Sequence, residues 1–364
     1  MKTNLFISVA ITGSLLACGS DLQDDNDDVE NTDTSSEETD SEDTGSEDTG
    51  SEPDSQEPAR PGALNELARE ARDAMTQVFT VNADDFNTIQ GDEGTVVYFW
   101  PQSLVDANGQ TVTGNVDIEL IEVYGKGQML VSDVPTNGLL SSGEIAQLVS
   151  GGEFYVNASQ NGEDLDLSHP YMVNAPTDNT AGPDFEMELF KIEEDGPDGK
   201  PAWTEVGVDP DTGEPNAEQN LEIIKGDGDG SGNSTAYSFL NQEFGWSNID
   251  RWYSDPRPKT TIHVSVPDGW DDTNCGVYLA YTGENTLARF DTYDANSELF
   301  SEHYGLIPIG LEVSVIFMTE SEGEWSYAIQ QTTIVDNHVT VFDNPDDFLE
   351  TDTDGLIAAI DALP

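Results

Sequence analysis

Two stretches of this 364-residue chain gather side chains that could do chemistry. Asp250-Arg251-Trp252, followed by Arg257 and Lys259, concentrates cations in a chain with only 12 Lys and Arg. Guanidinium groups grip carboxylates bidentately and indole offers a flat face, so Asp250, Arg251, Trp252 and Arg257 are candidate ligand-binding residues. The competing reading, which we expect, is a buried Asp250–Arg251 pair that fixes the start of a domain. Asp227-Gly228-Asp229-Gly230-Ser231-Gly232-Asn233 places oxygen donors at Asp227, Asp229 and Ser231, the alternation that a calcium loop requires. Its twelfth position is Ser238 instead of Glu, which favours a solvated linker over a metal site. Glu350-Thr351-Asp352-Thr353-Asp354-Gly355 is nearer to an EF-hand, but Glu stands where Asp is usual, and an N-cap for a closing helix accounts for it better.

Other chemistries find less support. His169, His263, His303 and His338 are scattered without metal-ligand spacing. Cys275 has no partner motif and reads as a buried structural thiol. Gly151-Gly152-Glu153-Phe154 resembles the diguanylate-cyclase signature, but one acid is missing and the context is a strand. No nucleophile elbow, P-loop or zincin motif occurs. No catalytic residue is therefore assigned and no cofactor is expected, calcium being the one candidate. Paired carboxylates on a β-scaffold could hydrolyse glycosides, yet with 73 Asp and Glu some pairs arise by chance.

Charge narrows the partners. The formal net charge is −61, and residues 21–57 hold 17 of the acids and no base. Nucleic acid is excluded as an expected partner, because phosphate binding needs a basic footprint. Residues 18–58 read as a disordered tether: Asp, Glu, Ser, Thr and Gly dominate, and Asp-Thr-Gly-Ser-Glu occurs at 43–47 and again at 48–52. Such a segment buries too little apolar surface to offset its ordering entropy.

The elements that must position these residues are mostly strands. Ala63, Leu64, Leu67, Ala71 and Met75 recur at helical spacing, predicting a leading helix over 62–77 with Arg69 and Arg72 as a rare basic spot. Val116, Ile118 and Leu120 alternate with acids, and the parity slips at Ile121, predicting a bulge or a strand end. Phe154, Val156 and Ala158 alternate again, Asn161-Gly162 marks a hairpin, and Phe185, Met187 and Leu189 read as a further strand. Leu221, Ile223 and Ile224 interrupt a polar linker over 208–234. Beyond it Ile262, Val264 and Val266, then Val277, Leu279 and Tyr281, then Val313, Val315 and Phe317, then Trp325, Tyr327 and Ile329, then Val339 and Val341 repeat the pattern. Leu356, Ile357, Ile360 and Leu363 give a closing helix its apolar face. The expectation is a mainly β protein: two β-sandwich-like domains, 59–207 with the leading helix and 235–364 with the closing one.

Residues 1–17 carry one base, Lys2, before an apolar run that ends Leu15-Leu16-Ala17-Cys18. This resembles a bacterial lipoprotein signal peptide, which implies that Cys18 receives acyl chains such as palmitate. Gly19 after Cys18, with acids from Asp21, resembles lipoproteins sent to the outer membrane and the cell surface. Gly94-Thr95-Val96-Val97-Tyr98-Phe99, Val112-Thr113-Gly114-Asn115-Val116-Asp117-Ile118, Ser150-Gly151-Gly152-Glu153-Phe154 and Gly245-Trp246 are similar to segments of cell-envelope lipoproteins of Bacteroidota. Their first domain is distantly like the β-sandwich of ankyrins and netrin receptors. That resemblance implies fold and location and carries no activity. The function expected is an anchored, non-catalytic binding or structural role toward a glycan, a matrix component or an envelope protein. The alternatives are a glycosidase-like hydrolase and a calcium-dependent adhesin.

Overall fold

The computed structural model describes residues 57–193, 201–207, 221–225, 234–302 and 305–364. The signal segment, Cys18, almost all of the tether, and Asp227, Asp229 and Ser231 lie outside the described residues.

Period-two alternation sends one set of apolar side chains to each face of a strand, and here it builds two sandwich cores. The first sheet runs in the order Gln77–Asn82, Asn115–Val123, Ile145–Gln160, Gly245–Trp252, Glu188–Glu193, Ala202–Glu205, Asn137–Leu139. Its inner face carries Ile118, Leu120, Phe154, Val156, Leu189 and Ile249. They meet Val97, Phe99, Tyr171, Val173 and Phe239 from a second sheet, ordered Glu222–Lys225, Thr235–Asn241, Tyr171–Pro176, Val96–Phe99, Asn87–Gln90. The second sandwich pairs the sheet Leu287–Arg289, Cys275–Tyr281, Glu312–Ser321, Glu324–Thr333, Leu349–Thr351 with the sheet Thr292–Asp294, Leu299–Ser301, His263–Ser265, Val339–Val341. Val264, Val277, Leu279, Phe300, Val315 and Phe317 fill it.

A third core joins the two. Ile121, Val123, Leu148, Phe190 and Trp203 leave the outer face of the first sheet and meet Tyr278, Ala280, Ile316, Met318 and Trp325. Three helices seal this layer: Ala63–Met75, Lys126–Val131 and Thr353–Asp361. Each fully buried large apolar side chain contributes about 1.5–3 kcal/mol, so the sandwiches form one compact unit within Pro53–Pro364. Helix packing is close enough that a methyl group on Gly127 would lie 2.5 Å from the Ile357 carbonyl oxygen. Asp352 caps the closing helix by accepting from the Gly355 N–H at 2.8 Å, the role expected of this acidic stretch.

The mainly β class and both flanking helices agree with the sequence reading, and several details are corrected. The boundary at 235 is misplaced, because Thr235–Asn241 and Gly245–Trp252 are strands of the first sandwich. Asn115–Val123 neither bulges nor ends at Leu120: Leu120 faces one core and Ile121 the next, so both parities are buried. The strand read from Phe185 begins at Glu188 instead, and Phe185 is exposed. On Val339–Val341 the parity is reversed: both valines are exposed and Thr340 is buried.

Candidate functional site

Five neighbouring strands of the first sheet form the floor of an open groove of about 780 Å³. Register sets the floor. Val78 lies opposite Glu119, Ile121 opposite Tyr155, and Tyr155 opposite Trp246. Ile192 continues the row on the fifth strand. Four inter-strand spacings give this row a length of roughly 19 Å. The leading helix supplies one wall with Asn65, Ala68, Arg72 and Asp73, and Asp133 and Val134 supply part of the rim. The helix stands there because Ala68 and Ala71 are buried in the central core, while Asn65 and Asp73 remain exposed.

The groove is aromatic at its centre and acidic at its edges. Tyr155 and Trp246 have ring centroids 5.5 Å apart, tilted by 53°. Burial, with Glu119 and Asp164 adding negative charge, holds the Tyr155 hydroxyl protonated to higher pH than usual. Arg72 donates to the Ser132 carbonyl at 2.7 Å. Asp133 accepts from Arg289 at 2.8 Å and from the Tyr278 hydroxyl at 3.1 Å. Glu119 and Asp73 make no side-chain hydrogen bond or ion pair among the described residues.

On the same sheet face, deeper in the molecule, lies a row of acids. Asn248 sits opposite Glu153, Asp250 opposite Ser150, and Glu188 opposite Asp250. Glu153, Asn248 and Asp250 are wholly buried. Asn248 Nδ2 donates to Asp250 Oδ2 at 2.7 Å and to Glu153 Oε1 at 3.4 Å. Burial pushes both carboxyls well above the usual range, and the charge of Asp250 raises Glu153 further. Burial and a shared hydrogen bond with Glu205 push Glu188 up to about 7.

The sequence candidates disperse. Asp250 and Arg251 do not pair, because consecutive strand residues point to opposite faces. Asp250 joins the buried acids, while Arg251 binds Asp184 at 2.9 Å and Glu284 at 3.1 Å. Trp252 donates to Glu205 at 3.1 Å, and Arg257 forks onto Asp255, holding that carboxyl below its usual range. Cys275 is buried, which pushes its thiol up, as a structural thiol should be. No group of three or more His, Cys, Asp or Glu among the described residues is placed to hold a metal. Glu302 lines a smaller pocket of about 130 Å³ with Asp291, Lys259 and Tyr281, and burial pushes it up to about 8.

The sequence pattern missed the groove. Tyr155 and Trp246 are 91 positions apart and fall on the polar parity of their strands; only their aromatic identity there marked them. No protein-family model, curated protein or solved structure matches the chain.

Proposed function

We propose that the protein is a lipid-anchored envelope lipoprotein of the outer membrane with a non-catalytic binding role, and that the groove over Tyr155 and Trp246 is its contact surface. The aromatic pair carries this reading: two half-buried rings at the bottom of an open groove of about 780 Å³ offer flat apolar faces between polar walls. Among the described residues no helix is long and apolar enough to cross a membrane, and in this reading Cys18 acylation does the anchoring. Several acyl chains on one residue make attachment stable where a single chain is marginal. Two measurements test the proposal. Palmitate should label the wild-type chain and not Cys18→Ser. A screen against glycans and envelope proteins should return a ligand that Trp246→Ala no longer holds; an empty screen rejects the binding role.

One observation favours a hydrolase as a second reading. Glu302, a carboxyl held protonated near neutral pH beside Asp291, has the character of a general acid. Its pocket of about 130 Å³ is well below the 300–1,000 Å³ typical of ligand sites, which places this reading second. Glycoside turnover by the wild type that Glu302→Gln abolishes would reverse the order.

A further inference from the structure

We infer that the groove takes an oligosaccharide bearing free amino groups, an inference that rests on the binding role proposed above. Its lining holds three carboxylates, Asp73, Glu119 and Asp133, against one guanidinium, Arg72. Asp133 is matched by Arg289 and Tyr278, and Arg72 is held by the Ser132 carbonyl. What remains for an occupant is Glu119 on the floor, Asp73 on the wall and the two aromatic faces of Tyr155 and Trp246. An ammonium group gains from both: a carboxylate attracts it, and the ring faces add cation–π attraction. Anionic sugars meet unbalanced negative charge, in a chain whose net charge of −61 already repels them.

The floor also argues for a sugar over a basic peptide. A peptide that binds by strand addition needs a free strand edge. Here the floor consists of sheet strands paired on both sides except Gln77–Asn82 at its margin, so Tyr155 and Trp246 present only their side-chain face. A ligand with flat C–H faces and peripheral hydroxyl and amino groups matches that face and the Asn65 amide on the wall.

The test is calorimetric titration of the full chain made soluble by Cys18→Ser. Its four probes are glucosamine hexamer, N-acetylglucosamine hexamer, a galacturonate hexamer and a hexalysine peptide. Glucosamine hexamer should bind about tenfold tighter than the acetylated form and the galacturonate should not bind, a ratio that corresponds to about 1.4 kcal/mol. Glu119→Gln, a change at a half-exposed position that leaves the core intact, should remove most of that preference. Trp246→Ala should abolish binding of every sugar. Equal binding of galacturonate, or tighter binding of hexalysine, overturns the inference while leaving the groove a binding site. If no probe binds, the inference falls, and the wider ligand screen alone then decides the binding role.

Discussion

Glu153 and Asp250 share one amide: Asn248 Nδ2 reaches Asp250 Oδ2 at 2.7 Å and Glu153 Oε1 at 3.4 Å. Among the described residues neither carboxyl has a salt bridge, and Glu153 Oε2 and Asp250 Oδ1 lack a hydrogen-bond partner. Two buried charges so placed would each need several kcal/mol of compensation, so protons neutralise the pair instead. A carboxyl that holds its proton more tightly when folded contributes stability in full below its unfolded value, near 4. That contribution is lost as pH rises toward the folded value. Glu153→Gln and Asp250→Asn should therefore match the wild type at pH 4 and be more stable by about 1–3 kcal/mol at pH 8, the scale of an unsatisfied buried polar group. Urea unfolding at both pH values measures this; equal effects at the two values would show that no proton is held.

Glu188 gives a narrower window. It is half-buried and shares a hydrogen bond with Glu205, so its raised value of about 7 lies within reach of titration. Its stabilising contribution is complete below about pH 4 and fades as pH rises through 7. Glu188→Gln should flatten the stability profile between those limits and leave the acid side unchanged. Carbon-detected NMR of the side-chain carboxyls reads the same event directly, and a Glu188 midpoint near the ordinary 4.3 would contradict it.

The strands and helices were legible because alternation and helical spacing are local signals. Phe154, Val156 and Ala158 declare one buried face, and Leu356 and Ile360 declare another. What was not legible is the layer between the sandwiches. Ile121 read as a slip in register because the sequence does not reveal that helices cover the outer face of the first sheet. The same gap hid the groove, whose floor comes from five strands taken out of chain order. Asp250 and Arg251 stand out in the sequence by their charges, but a pair between them conflicts with the alternation that sends Arg251 to the opposite face.

Arg251 ties the two sandwiches together. One nitrogen binds Asp184 in the first and another binds Glu284 in the turn after Cys275–Tyr281. The guanidinium is about one-fifth exposed and its partners about one-third, which limits its worth to roughly 1–2 kcal/mol after screening. Arg251→Gln should lose that amount at low salt and less at 1 M NaCl, where the Debye length falls to about 3 Å. Arg251→Lys should recover only part of the loss, because an ammonium cannot reach both acids as a planar fork does. A salt-independent loss would assign Arg251 a packing role instead.

Gly152 decides where Glu153 points. Between the pairs Asn248–Glu153 and Asp250–Ser150 the Gly245–Trp252 strand advances two residues while Ile145–Gln160 advances three, so Gly151-Gly152 forms a bulge. Gly152 has φ of 131°, a conformation costly for residues with a Cβ. An added methyl would also lie 2.8 Å from Phe154 Cζ and 2.8 Å from Tyr124 Cε1, both in buried rings. Backbone strain and overpacking, each about 1–3 kcal/mol, should together destabilise Gly152→Ala by about 2–6 kcal/mol. Gly162→Ala is the control: its φ is 81° but nothing lies within 4 Å of the new methyl, so it should lose only about 1 kcal/mol. Gly151→Ala, with the Ile249 carbonyl at 3.1 Å, should fall between them. Denaturant unfolding of the three variants gives the ranking, and equal losses for Gly152→Ala and Gly162→Ala would remove the ring contacts from the account, leaving backbone conformation as the whole effect.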